Sequence, residues 1–184
     1  MAIQTHLHTV DAFERILALP ENSERLLELI NGEIVEKMPT EEHGIIVLRI
    51  GSRILIFVDT NHLGRVGVEI RHRNPEDHYN DRLPDISFTA DTTAPVVTQG
   101  AVLRFPDLAV EVKSPSDSYR QMRDKAEFYL ANRVKLVWLV YPEKRIVESY
   151  RADREIEMLN EHETLEGGDV LPGFSMALSE IFKR

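Results

Sequence analysis

The stretch that decides the fold runs from Asp107-Leu-Ala-Val-Glu-Val-Lys113 through Ser114-Pro-Ser-Asp-Ser118 and the helix after it to Leu136-Val-Trp-Leu-Val-Tyr141. The first segment reads as a strand. The Ser/Pro/Asp cluster ends it and supplies helix N-caps. In the following helix Met122, Ala126, Tyr129 and Leu130 fall at i, i+4, i+7 and i+8, which marks one buried face. Lys135 to Tyr141 is then a buried strand. A strand, a helical crossover and a second buried strand form the unit that places strands parallel in one sheet, with a helix on its face.

Working outward toward the N-terminus, Thr9 caps a short helix carrying Val10, Phe13, Ile16 and Leu17 on one side, and Pro20 with Asn22 and Ser23 ends it. Arg25 to Ile30 and Glu33 to Met38 flank Asn31-Gly32, a dipeptide that accepts the two positive φ values of a type I′ hairpin turn. Val47, Ile50, Ile54 and Phe57 predict a helix over residues 43–58, with Arg49 and Arg53 at the rim of its apolar face. Gly64 to Ile70 reads as a strand, Arg71 to Pro84 as a loop, and Asp85-Ile-Ser-Phe88 as the start of a second strand. Beyond Tyr141, Arg145 to Tyr150 and Ile156 to Leu159 read as outer strands, and Gly167-Gly168 and Pro172-Gly173 as turns before a short terminal helix. The class is α/β with a mixed central sheet, an N-terminal helix plus β-hairpin, and extra C-terminal strands. The chain reads as one domain over residues 1–184.

Composition narrows the functional classes. Twenty-two basic against 31 acidic residues give a net charge of −9, so no global positive field holds nucleic acid by counterion release. Any such binding must come from a local patch or a metal. Without cysteine there is no disulfide framework, thiolate site or Cys nucleophile. The longest apolar run is too short for a bilayer span and no secretory leader is evident, which gives the expectation of a cytoplasmic protein without membrane contact.

Side chains alternate along a strand, so Glu111 and Lys113 share one face, about 7 Å apart, and Val110 and Val112 point to the other. Asp85 opens another strand directly after Pro84. Adjacent strands would bring Asp85 and Glu111 together as the oxygen donors that a hard divalent cation takes alongside substrate phosphate. Lys113 could then orient or deprotonate a water, or neutralise charge developing on the phosphate. Each motif alone is also what a solvated ion pair or a strand-opening turn looks like; the combination is what points to a site.

Pro84-Asp85 followed by Glu111-Val112-Lys113 resembles the signature of the PD-(D/E)xK nuclease superfamily, whose core order is αβββαβ. More narrowly, Leu29 to Glu33, Pro39 to His43, Leu83 to Phe88, Glu111 to Ser118, Lys125 to Tyr129 and Val137 to Tyr141 resemble the bacterial Uma-two family of restriction-endonuclease-like proteins. The resemblance implies a restriction-endonuclease-like core and a Mg²⁺- or Mn²⁺-dependent phosphodiesterase. Its metal ligands would be Asp85, Glu111 and the Val112 carbonyl, and Lys113 its catalytic lysine. It also implies a nucleic-acid substrate, with DNA the expected polymer; a homodimer is expected because two copies would reach two strands. Asn132-Arg133 stands where the family has a small Gly-type turn.

His43 and Lys125 are candidate substrate-binding residues, against the readings of a capping histidine and a solvated helix lysine. Glu33 could add a carboxylate. Arg65 with Arg71-His72-Arg73, or Arg120 with Arg123, could form a DNA-touching arm. His6, His8, His62, His72 and His78 show no metal-ligand spacing. The alternative function is a nuclease-fold module that acts through protein contacts and cuts nothing.

Overall fold

The structure, a computed structural model, describes residues 7–183; His6 lies outside them. The chain forms two compact units, one of Met1–Met38, Arg71–Leu83 and Val97–Arg104, the other of Pro39–Ile70, Pro84–Val96 and Phe105–Arg184.

In the first unit, α1 (Val10–Leu17) begins at Thr9, whose side chain accepts a hydrogen bond from the Ala12 amide, and its Val10 and Phe13 pack on Leu27 and Leu29. β1 (Leu27–Ile30) and β2 (Glu33–Glu36) pair antiparallel as the hairpin. Asn31 (φ 50°) and Gly32 (φ 85°) occupy the two left-handed positions that a type I′ turn requires. The loop after Arg71 is tied down by isolated bridges, Leu29 to Asp81 and His72 to both Arg82 and Val102.

The second unit is a six-stranded sheet in the order β3-β4-β5-β6-β7-β8. Its strands are β3 (Arg65–Val68), β4 (Ile86–Thr89), β5 (Leu108–Val112), β6 (Leu136–Tyr141), β7 (Ile146–Tyr150) and β8 (Glu157–Asn160). Only β5 and β6 run parallel, joined by α3 (Tyr119–Ala131) as the crossover that the sequence implies. The mixed α/β class is thus observed.

α2 (Glu41–Asn61) covers one face of the sheet. Its Ile46, Ile50, Ile54 and Val58, four residues apart, pack on Val110, Val112, Trp138 and Val140. Each fully buried Ile or Val contributes roughly 1.5–3 kcal/mol, and this i+4 ladder holds α2 in place. α3 covers the other face through Met122, Ala126 and Tyr129 against Ala109, Val137 and Leu139. It starts in a capping box in which Ser118 and Gln121 satisfy each other's amides. It ends at Arg133, which adopts φ 68° where a glycine would be unstrained.

Two readings of the C-terminal region change. β7 is an interior strand between β6 and β8, not an outer one, and its Tyr150 is buried with its hydroxyl on Glu148. A second small hairpin, β9 (Thr164–Glu166) with β10 (Ser175–Ala177), precedes α4 (Leu178–Ile181); its three-residue strands are too short for alternation to register. Among the described residues no helix is long and apolar enough to cross a membrane.

Candidate active site

β4 and β5 pair antiparallel with Ile86 opposite Val110. One step further along this register, Asp85 stands across from Glu111. The two carboxylates are 2% and 1% exposed, so each needs partners to offset the cost of leaving water. Asp85 Oδ2 accepts the Val112 amide at 2.6 Å and lies 3.1 Å from His43 Nε2. His43 is delivered by the first turn of α2, where the Thr40 hydroxyl accepts the His43 amide. The histidine therefore is no exposed cap: it is buried and aimed at Asp85.

Glu111 lies on the α3 face. Its Oε2 is 3.1 Å from Lys125 Nζ and its Oε1 accepts the Tyr129 hydroxyl at 2.7 Å. Lys125 and Tyr129 are one helical turn apart, the spacing that places both over one strand residue. Lys125 is buried, which removes the solvated reading.

Lys113, just past the end of β5, turns to Glu143: its Nζ is 3.3 Å from Glu143 Oε1 and 3.2 Å from the Ser114 carbonyl. Glu143 sits on the single 3₁₀ turn Pro142–Lys144 after β6 and also accepts the Tyr119 hydroxyl at 2.8 Å. Burial opposes ionisation of this carboxyl, but its own backbone amide, Tyr119 and Lys113 outweigh that and hold it below the usual carboxylate range. Lys113 and His43 line a cavity of about 220 Å³ with Thr40, Glu42, Pro115 and Glu143. Glu42, Pro142 and Glu143 also border a larger cavity, about 500 Å³, that reaches Arg49 and Arg145.

The structure thus gathers Asp85, the Val112 amide and His43 at one point, Glu111 with Lys125 beside it, and Lys113 with His43 on one cavity. Sequence reading missed Glu143 and Tyr119, and read Tyr129 only as core. The i, i+4 pair Lys125 and Tyr129 was the available signal for Tyr129; nothing in the sequence marks Glu143, whose position depends on where the turn after β6 falls.

Among the described residues no group of three or more His, Asp or Glu could by itself hold a metal ion. Two buried carboxylates on neighbouring strands are nonetheless a hard-oxygen donor set of the kind that takes Mg²⁺ or Mn²⁺ when substrate phosphate and water complete the shell. Of the other candidate cations, all but Arg120 are buried or held by nearby partners. Arg71 and Arg73 pair with Glu14, and Arg71 with Asp81. His72 is 2% exposed, Arg65 donates to the carbonyls of Thr92 and Ala94, and Arg123 is bound to Glu148. Arg120 approaches Asp124 only loosely, at 3.9 Å. Glu33 is exposed on its hairpin strand.

Comparison with known proteins bears on family and fold. A profile of the Uma2 family, described as "Putative restriction endonuclease", matches residues 11–179. The fold is that of a crystal structure titled as a putative nuclease belonging to DUF820 from Anabaena variabilis, at TM-score 0.80 and 24% identity over 95% of this chain and 97% of that one. A DrdV–DNA complex aligns at TM-score 0.34 and 14% identity over 75% of this chain and 96% of that one, too distant to carry an argument. No curated protein matches. With 11–179 of its 184 residues matched, the chain belongs to the Uma2 family.

Proposed function

We propose that this protein is a divalent-metal-dependent nuclease that hydrolyses phosphodiester bonds of nucleic acid, with DNA as the first polymer to test. The observation that carries the reading is the placement of Asp85 opposite Glu111 on neighbouring strands, with Lys113 two residues on at the wall of an open cavity. The family description and the nuclease neighbour support it. The match spans stretches of both compact units, which supports treating residues 1–184 as one functional domain, and the absence of cysteine suits a cytoplasmic setting.

Asp85 and Glu111, with the Val112 carbonyl, would hold Mg²⁺ or Mn²⁺. Bound there, the ion would supply Lewis acidity toward a phosphoryl oxygen and a water of lowered pKa. The chain's own residues do the rest. His43 and the Val112 amide fix Asp85 Oδ2 in place, and Tyr129 and Lys125 fix the two oxygens of Glu111. Lys113, paired with Glu143 as an ion pair, brings a positive charge to the cavity wall. That favours it as the group that offsets charge developing on the phosphate. Carboxylate pairs repel phosphate in the absence of the cation, so the site is idle without metal.

One observation favours a second reading, a binding module that cuts nothing: the chain is at −9, and Arg71, Arg73 and Arg123 are each paired with a carboxylate, which leaves these three little charge with which to hold a polymer. Incubation of purified protein with plasmid, linear duplex and RNA in Mg²⁺ or Mn²⁺ separates the two. Metal-dependent cleavage that disappears in Lys113→Ala supports the nuclease. Intact substrates at high enzyme concentration in both metals support the module.

A further inference from the structure

Asp85 and Glu111 take their places from strand register; the ammonium of Lys113 does not. The Lys113 amide donates to the Val140 carbonyl near the end of β6 at 2.9 Å, but its side chain continues on a flexible stem of four carbons with large rotamer entropy. A group with that freedom needs an outside partner if it is to meet a phosphate oxygen repeatedly in one geometry. The carboxylate it meets is that of Glu143.

Glu143 is itself fixed from two sides. Pro142 sets the backbone at the start of the 3₁₀ turn, and the turn closes where Arg145 adopts φ 54° and its amide donates to the Pro142 carbonyl at 3.2 Å. From the other side Tyr119, the first residue of α3, donates its hydroxyl to Glu143 Oε1, the same oxygen that faces Lys113. The Tyr119 ring leans on the fully buried Tyr141, with centroids 5.2 Å apart, and carries Lys144 Nζ 3.8 Å from its own centroid. A chain of contacts therefore runs from Tyr141 through Tyr119 and Glu143 to Lys113, all within the unit that holds Asp85 and Glu111.

We infer that Glu143, seated by Tyr119, is the positioning residue of Lys113: it pins the ammonium on the cavity wall and leaves one of its three donors for a phosphate oxygen. The inference rests on the nuclease reading. One donor goes to the Ser114 carbonyl at 3.2 Å and a second faces Glu143 Oε1 at 3.3 Å. The third has no hydrogen-bond partner among the described residues, and Lys113 lines the cavity of about 220 Å³. Glu143 also has an opposing effect, because a carboxylate beside the ammonium offsets part of the positive charge that an incoming phosphate meets. Its removal should help substrate bind while harming the step that needs Lys113 in place. A residue that only supported the fold would not move the two constants in that opposed way.

Steady-state cleavage by full-length variants, on duplex DNA and on RNA in Mg²⁺ or Mn²⁺, tests the assignment. Glu143→Ala should keep the wild-type melting temperature, lower kcat by about 100-fold, the scale of a misplacement near 1 Å, and lower KM. Glu143→Gln keeps an oxygen for both Tyr119 and Lys113, so its kcat should stay within about 10-fold of wild type, again with a lower KM. Because Glu143 acts through Lys113, Glu143→Ala should cost nothing further in a Lys113→Ala background. A second measurement needs no activity. In protein carrying isotope-labelled lysine, the two ε-methylene protons of Lys113, assigned with Lys113→Arg, should be inequivalent in wild type and should merge in Glu143→Ala as the stem begins to rotate freely. An unchanged kcat in Glu143→Ala, a further loss in the Lys113→Ala background, or merged Lys113 protons in wild type overturns the assignment while leaving the nuclease reading in place. A wild type that cleaves neither polymer in either metal overturns the nuclease reading and the catalytic consequence with it, and the lysine spectrum then decides whether Glu143 holds Lys113.

Discussion

Two buried glutamates lie in one row across the sheet. Glu111 on β5 and Glu148 on β7 flank Leu139 of β6, and both take partners from α3. Glu148 receives Arg123 through two nitrogens together with the hydroxyls of Tyr141 and Tyr150. Burial would raise its carboxyl, yet Arg123, Tyr150 and Tyr141 hold it below the ordinary range, and both tyrosines are pushed up by burial and by the neighbouring carboxylate. Its setting is that of a structural anchor between the sheet and α3. Glu111 has a lysine and a tyrosine in comparable places, but its residue also stands across from Asp85 in the register of β4 and β5, with Lys113 two residues away at a cavity. A buried acid with cationic partners is therefore not in itself the mark of a site. Under the proposed function, the mark would be the second acid, Asp85, on the neighbouring strand.

The largest expected contrast is in activity. Lys113→Ala should reduce metal-dependent cleavage by about 10³-fold or more, the scale of losing a positioned transition-state group. Glu148→Gln should leave cleavage within a few-fold of wild type when assayed below its melting temperature. Equal losses in the two variants would erase the distinction between the glutamates. For stability the ranking reverses. Glu148→Ala strands two buried tyrosine hydroxyls and should cost about 4 kcal/mol in urea unfolding, whereas Lys113→Ala removes a pair with the half-exposed Glu143 and should cost less than about 1 kcal/mol.

Much of this was legible in the chain. The hairpin followed from Asn31-Gly32, the helix α2 with Ile50 and Ile54 on its core face from their spacing, and the crossover from the Ser/Pro/Asp cluster before α3, because local turn chemistry and periodicity dictate those features; the rest of the α2 ladder is Ile46 and Val58, with Val47 and Phe57 only partly buried. Asp85, Glu111 and Lys113 stood out because strand alternation and strand adjacency are nearly geometric necessities. Glu143, Tyr119 and the interior position of β7 were not legible, since they depend on which strands become neighbours after Tyr141.

A third buried ionisable group extends the comparison to the other unit. His72 is driven by burial down to about 4, with its ring nitrogen 2.9 Å from the Arg104 carbonyl offering only partial compensation. Its folded value lies below the unfolded value near 6.5, so between the two the unfolded chain binds more protons and stability rises with pH. The contribution should be complete above about pH 6.5 and lost as pH falls toward 4, amounting to roughly 3 kcal/mol. Urea midpoints measured across that window should flatten in His72→Asn; an equally steep profile in that variant would move the effect to another group. A modest change is expected of Tyr150→Phe. With Arg123 and Tyr141 still on Glu148, it should cost about 1 kcal/mol, and a loss as large as that of Glu148→Ala would show the network to be less redundant than its geometry.

The most direct measurement of the central claim is calorimetric titration of Mn²⁺ into wild type, Asp85→Asn, Glu111→Gln and Glu148→Gln, in the presence of a short oligonucleotide with a non-hydrolysable backbone. The metal-site account predicts saturable binding in wild type and Glu148→Gln, and its loss in Asp85→Asn and Glu111→Gln. Binding that survives both of those substitutions, or that is lost equally in Glu148→Gln while the variant remains folded, would contradict it.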